Sequence, residues 1–397
     1  MDTIKCEICG AEGIHAMPLH LKDAHPDVSI EQYIKRFPDA PVFSEAAKLQ
    51  LEKKGLSPQQ AIQRPLVANH AQAANVVHMP VSPAPAALPT KQPLHQLFNL
   101  ADTPAVRNSR GDPISVTVFA PSHEHASFVP PTDDGHVWNE EDLKNELMAL
   151  ELNMPLYLYG HKGTSKTTDL KQICARTRRP LVRVQHTINT EEAHIVGQWT
   201  VQNGQTVFEL GPLPLAMLHG WAYLADEYDF ALASVLSVYQ PVLEGDALFI
   251  KEAPAAMRLI KPHPNFRFLA TGNTNGTGDD TGLYQGTSVQ NAANYDRFQV
   301  VIHKQYLPED KETTIVVNRS GIHEREAKKL VKFANDIRRE YDAGKIGDTL
   351  STRTLVTISN IGLRRANMKL GIQLGFSNKL SKVDRATVDQ VAQRLYA

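Results

Sequence analysis

Leu156-Tyr157-Leu158-Tyr159-Gly160-His161-Lys162-Gly163-Thr164-Ser165-Lys166-Thr167-Thr168 is the stretch on which the fold turns. Its first four residues read as a buried strand that runs straight into a glycine-rich turn, and a helix follows through Arg176. Strand, turn, Lys-Thr and helix together make a phosphate-binding loop. The physical device is a ring of backbone N–H groups at a helix N-terminus, with Gly160, His161, Lys162, Gly163, Thr164, Ser165 and Thr168 forming the cradle for the phosphates of ATP. Lys166 is expected to reach the β- and γ-phosphates, and Thr167 to hold Mg²⁺. One position departs from the usual pattern. Ser165 stands where glycine is customary, so a side chain intrudes where bare backbone normally approaches phosphate.

Outward from this loop, apolar strand-like runs at 156–159, 181–184, 221–225, 266–270 and 300–302 alternate with helical stretches. That alternation predicts an α/β fold, a mostly parallel sheet with crossover helices. The run at 221–225 ends in Asp226-Glu227, where Asp226 would bind Mg²⁺ through water and Glu227 would orient and deprotonate an attacking water. The run at 266–270 leads to Gly272-Asn273, an amide placed to grip the γ-phosphate or its water. Arg297 follows within Asp296-Arg297-Phe298, and Arg353 opens a late helix after Ser351-Thr352. In a ring of identical subunits Arg297 would reach the neighbour's γ-phosphate, while Arg353 would sense phosphate from a helical lid. Each arginine has a plainer reading as a surface ion-pair partner. Between loop and carboxylates, Asn203-Gly204 amid alternating residues signals a β-hairpin over 199–208.

The amino-terminal segment carries different chemistry. Cys6 and Cys9, then His20 and His25, have the ligand types and spacing of a tetrahedral structural Zn²⁺ site, with His15 as a rival ligand. The two imidazoles are expected from one short helix, although five residues put them roughly 140° out of line, so its last turn must tighten before Pro26. Ser29 with Gln32 forms a capping box for a helix that Pro38 ends; Ser44 caps a further helix that Gly55 closes. A Pro/Ala-rich linker is expected over 56–95. The predicted organisation is therefore a finger with short helices at 1–55, the linker, an ATPase core at 96–307 and a helical lid at 308–397, with helices at 324–341 and 353–370. The Arg-Arg pairs beginning at 178, 338 and 364 read as solvated charges, and Cys174 as a small buried residue.

Composition bounds the rest. At ~150 residues per domain, 397 residues leave room for two or three domains. Lys plus Arg total 42 against 43 Asp plus Glu, a net charge of -1, so no global field holds the protein on nucleic acid or an anionic membrane. No uncharged apolar run approaches the ~18 residues that span a bilayer, and residues 1–6 lack the core of a signal peptide. The expected location is cytoplasmic, without membrane. Three cysteines, two of them adjacent in pattern, suggest metal rather than a disulfide framework.

The order of phosphate loop, Asp226-Glu227, Asn273, Arg297 and Arg353 resembles an AAA+ ATPase with a helical lid. Finer wording is similar to the CobS-type subunits of aerobic cobaltochelatase in the MoxR branch: Asp226 to Asp229, Lys261-Pro262-His263-Pro264 with Phe266-Arg267, the run from Gly278 to Gly286, and Leu307 to Glu312. The resemblance runs from about residue 100 to the end and implies a homo-hexameric ring that hydrolyses ATP and remodels a partner carrying a von Willebrand A domain. In a chelatase that work inserts metal into a tetrapyrrole. Residues 1–40 resemble the single zinc fingers of the Ros/MucR regulators, which implies a finger and leaves nucleic acid and protein open as what it holds. Two other readings follow: a nucleic-acid-associated ATPase recruited through the finger, and a weakly hydrolysing nucleotide-bound scaffold motivated by Ser165.

Overall fold

Alternation with period two governs the middle of the chain. Leu156 and Leu158 face one side of a sheet and Tyr157 the other, and all three are fully buried. The computed structural model describes residues 3–25, 28–53, 57, 87–121, 123–279 and 282–396. The chain divides into two units, Met1–Val76 and Val77–Ala397.

In the second unit the strands are, in chain order, β1 (Ala87–Pro93), β2 (Ser115–Ala120), β3 (Leu156–Tyr159), β4 (Leu181–Gln185), β5 (Gly197–Gln202), β6 (Gln205–Leu210), β7 (Ala222–Asp226), β8 (Leu248–Phe249), β9 (Leu259–Ile260), β10 (Arg267–Gly272) and β11 (Val300–His303). Five of them form one sheet in the order β11-β3-β10-β7-β4, every neighbouring pair parallel. These are the five runs expected from the sequence, shifted by no more than a residue or two at their ends. Leu156, Leu158 and Leu224 pack with Leu143 and Leu147 of the helix Glu140–Glu151 and with Leu170 and Ile173 of the helix Lys166–Arg176. On the opposite face Tyr157, Tyr223 and Phe268 meet Met217 and Tyr239. Helices on both faces of a parallel sheet leave the carboxyl ends of its strands as the open edge, where ligands bind in such folds.

β1 pairs antiparallel with β2. Ala87–Pro93 thus belong to a sheet, although the linker was expected to run to residue 95; the rest of that expected linker falls almost wholly outside the described residues, as does Gly55. β5 and β6 form the expected hairpin, with Asn203 and Gly204 both at positive φ. Its Trp199 is 47% exposed and donates from Nε1 to the Glu252 carbonyl at 3.0 Å.

Helices follow from Glu309 onward: Glu309–Ser320, Glu324–Asp342, Thr352–Arg365, Met368–Gly375 and Lys382–Leu395. The single helix expected over 353–370 is two. Ala366 turns left-handed at φ +47°, and Asn367 caps the second helix by accepting from the Leu370 N–H at 3.0 Å. Arg338 also departs from expectation. It is buried, paired through both ends of its guanidinium with Glu312 at 2.7 Å, and lies 3.6 Å from the Tyr306 ring centroid. Among the described residues no helix is long and apolar enough to cross a membrane.

Among the described residues of the first unit the helices are Met17–Ala24, Ile30–Arg36 and Glu45–Lys53, with Ile4, Cys6, Met17, Leu21 and Tyr33 buried together. The Ser29 capping box is present, and Ser44 Oγ accepts from the Ala47 N–H at 3.2 Å.

Candidate active site and metal centre

Gly160 leaves β3 at φ +145°, where a Cβ would lie 2.3 Å from the Lys304 carbonyl oxygen, so only glycine fits. The loop then wraps so that Lys166 Nζ donates back to the Gly160 carbonyl at 2.6 Å and the His161 carbonyl at 3.0 Å, with Asn273 Oδ1 at 3.4 Å. Burial pulls the Lys166 ammonium down to about 8, against Asp229, Asp226 and Glu227, which pull it up. A phosphate set among the loop amides would supply the counter-charge this lysine lacks. Ser165, the customary glycine position, sits at φ +66° as the N-cap of the helix Lys166–Arg176.

Asp226 ends β7 in the interior, and its carboxylate is fully engaged. Oδ1 accepts from Thr167 Oγ1 at 2.7 Å and from Thr271 Oγ1; Oδ2 accepts from Arg183 Nε at 2.6 Å. A threonine hydroxyl joined to a carboxylate beside the phosphate cradle is a hard-oxygen set that fits Mg²⁺, with Thr167 and Asp226 the residues to hold it. Glu227 follows at φ +54°, and Gln185 Nε2 donates to its Oε2 at 2.9 Å. Asn273 is placed through its backbone, donating to Asp229 Oδ2 at 2.8 Å, while Thr274 donates to the same oxygen from N at 2.9 Å and Oγ1 at 3.0 Å. Burial raises Asp229 above the usual carboxylate range, and these three donors oppose that.

Lys166, Thr167, Asp226, Glu227, Asn273 and Arg353 share one cavity of about 140 Å³. A second, of about 310 Å³, adjoins it at Gly163, Ser165 and Arg353 and extends between Val137 of the core and Ile315 and Val356 of the lid. Polar groups at one end and apolar ones at the other suit a nucleotide, phosphates inward and base toward the lid. Arg297 stands outside both cavities, with Nε donating to Glu244 Oε1 at 2.7 Å and Nη1 to the Ala293 carbonyl at 2.6 Å.

In the first unit, one ligand atom each from Cys6, Cys9, His20 and His25 lie within 4.8 Å of one another. Cys9 Sγ is 3.3 Å from His20 Nε2, both cysteines are free thiols, and His25 Nε2 is a buried nitrogen with no hydrogen-bond partner. Two sulfurs, two imidazoles and an orphaned ring nitrogen fit Zn²⁺. The backbone solves the spacing differently from expectation. His25 has left the helix Met17–Ala24, at φ −140° and ψ 61°, so the imidazoles meet without a tightened turn. His15 is turned elsewhere, Nδ1 lying 3.1 Å from Ser44 Oγ.

Comparison with known proteins agrees with this geometry. Residues 155–298 match the family described as AAA domain (dynein-related subfamily), and residues 312–393 match CbbQ/NirQ/NorQ C-terminal. Aerobic cobaltochelatase subunit CobS of Sinorhizobium sp is 34% identical over 312 residues, which cover 76% of this chain and 92% of CobS. The chain belongs to the MoxR-type AAA+ ATPases, alongside CobS. Protein NorQ of Paracoccus denitrificans is 24% identical over 229 residues, 58% of this chain and 81% of NorQ. A mouse von Willebrand factor A domain-containing protein 8 is 25% identical over 234 residues, 54% of this chain and 12% of that much longer protein.

Several residues of this AAA+ site escaped the sequence reading. Arg183 and Gln185 on β4 grip Asp226 and Glu227, but their roles appear only once β4 is known to lie beside β7. Lys304, just past β11, is buried with Asp142 at 2.7 Å, Glu146 at 3.0 Å and Asp169 at 2.7 Å, tying two helices to the strand that backs the phosphate loop. Burial would lower Lys304, yet the three carboxylates raise it; burial pushes Glu146 up to about 8 despite Lys304. A Lys in an apolar-strand context gave no hint of this. Asp229 was visible, since it closes the Asp226 to Asp229 motif.

Proposed function

We propose that this AAA+ ATPase hydrolyses Mg²⁺-bound ATP in a homo-hexameric ring and passes the work to a partner protein. The observation that carries this reading is the division of the site: Lys166, Thr167, Asp226, Glu227, Asn273 and Arg353 line one cavity, whereas Arg297 stands outside it. A cavity that holds the phosphate grip, the metal carboxylate and a base but lacks the remaining arginine suits a site completed by a neighbouring copy. Within one subunit, the loop amides and Lys166 bind the phosphates, Glu227 takes a proton from the attacking water, Asn273 orients that water, and Arg353 reports the γ-phosphate to the lid. Thr167 and Asp226 would hold Mg²⁺, which would supply neutralisation of phosphate charge.

The likeness to CobS and to a protein that joins such a stretch with a von Willebrand A domain supports a partner of that type. Metal chelation is the named special case. The first unit binds Zn²⁺ through Cys6, Cys9, His20 and His25 and serves as a docking module. The deciding experiment is steady-state ATP hydrolysis by the protein and by Glu227→Gln. The variant should keep nucleotide binding while kcat falls by about 10²- to 10⁴-fold, the range a general base contributes. Equal rates in the two proteins, or no turnover in either, would remove the motor reading.

A further inference from the structure

The segment from Asn273 to Arg297 has a contact that the reaction as described does not use. Tyr284 is buried, and its hydroxyl meets the phosphate loop from outside: the Lys162 N–H donates to it at 3.0 Å, and His161 Nδ1 lies 3.1 Å away. Burial lowers His161 below its ordinary value, against Asp342, so a neutral ring is favoured that can accept a hydrogen bond from the phenol at Nδ1. The hydroxyl thereby gives one hydrogen bond and takes one, clipping the first half of the loop to residue 284.

Just past Tyr284, backbone hydrogen bonds lead back toward the sensor Asn273. Thr287 N–H donates to the Tyr284 carbonyl at 3.1 Å, Ser288 N–H to the Asp229 carbonyl at 2.7 Å, and Gln290 N–H to the Gly276 carbonyl at 2.9 Å. Asp229 is the residue whose carboxylate holds the Asn273 and Thr274 amides. Asn291 then caps the short helix Ala292–Tyr295, Asn294 Nδ2 donates to Tyr228 Oη at 2.7 Å, and Arg297 follows. Gly276 packs against the Tyr295 ring so closely that a Cβ would lie 3.0 Å from it. Hydrogen bonds, one close packing contact and short stretches of chain thus join the phosphate loop, Asn273 and Arg297.

We propose that Tyr284 is a positioning residue that couples the phosphate loop to Asn273 and to the segment presenting Arg297, so that nucleotide in one subunit sets the arginine offered to the next. Tyr284 touches two cradle positions, His161 and Lys162, and leaves Gly163 to Thr168, with Lys166 among them, without a contact to its hydroxyl. Affinity and coupling should therefore separate. The proposal rests on the ring-ATPase reading for its rate measurement and for the reach of Arg297 into the next subunit, whereas the exchange comparison reads the coupling from Tyr284 to residues 284–297 directly.

The test compares the full-length protein with Tyr284→Phe, which removes one oxygen. The variant should bind a non-hydrolysable ATP analogue with Mg²⁺ within about twofold of the parent while kcat falls by roughly 10²-fold, the loss expected of a misplaced reacting group. Amide hydrogen exchange gives the readout that a merely structural role would not move. In the parent the analogue should slow exchange in the phosphate loop and in residues 284–297; in Tyr284→Phe it should slow the phosphate loop alone. Equal slowing of 284–297 in both proteins overturns the proposal, as does a parallel loss of affinity and thermal stability, which would mark an ordinary packing role. A parent that binds the analogue but turns nothing over defeats the motor reading instead, and the exchange comparison still decides for or against Tyr284.

Discussion

Ser165 holds a left-handed backbone, φ +66°, at the point where the phosphate loop becomes a helix. An L-residue pays for that conformation with a clash between Cβ and the following carbonyl, about 1 to 2 kcal/mol. Replacing Ser165 by glycine should stabilise the ATPase core by about 1 kcal/mol, read as a higher thermal midpoint, and leave turnover within about threefold because the loop's shape is unchanged. A gain of an order of magnitude or more in rate would instead identify the serine as a brake and favour the nucleotide-bound scaffold. The sequence marked residue 165 as unusual by its side chain alone. Crowding of phosphate was the expected penalty, whereas backbone strain is visible only once the dihedral is known. His15 illustrates the same limit, since spacing kept it as a zinc ligand until its hydrogen bond with Ser44 was known.

Elements were more legible than their edges. Apolar runs between turn signals located all five sheet strands, because burial on both faces of a parallel sheet demands continuous hydrophobicity. The break at Ala366 and Asn367 was not visible, because Leu363 and Leu370 keep a helical period across it while the turn is set by one left-handed alanine. Strand order was equally hidden, and with it the grip of Arg183 on Asp226. The metal module can be tested as an element. Among its described residues the buried apolar side chains are Ile4, Cys6, Met17, Leu21, Tyr33, Phe43 and Leu51, too small a core to stand without a cross-link. Chelation of Zn²⁺ should therefore collapse amide dispersion for residues 3–48 and leave the helices and sheet of the second unit intact; unchanged spectra would remove the zinc assignment.

At the scale of the whole molecule, Arg297 stands outside the cavity that Lys166, Asp226 and Glu227 line. Its pairing with Glu244, at 2.7 Å and with both side chains partly exposed, is a weak restraint that a neighbour's phosphate can outbid. Complementation follows from the geometry. Arg297→Ala and Glu227→Gln should each be inactive alone, and mixing the two should restore turnover, because some interfaces then combine an intact Glu227 with an intact Arg297 from next door. Two inactive parents that stay inactive on mixing would place Arg297 in its own subunit's chemistry or outside catalysis. The β5–β6 hairpin has its own reporter built into the fold. The chain has three tryptophans, of which Trp138 and Trp221 are buried at 4% and 5% exposure while Trp199 stands 47% exposed on the β5–β6 hairpin. Red-edge emission and its quenching by a neutral solute consequently belong almost wholly to that hairpin, so the unmodified protein carries a single-site optical probe on β5, opposite Phe208.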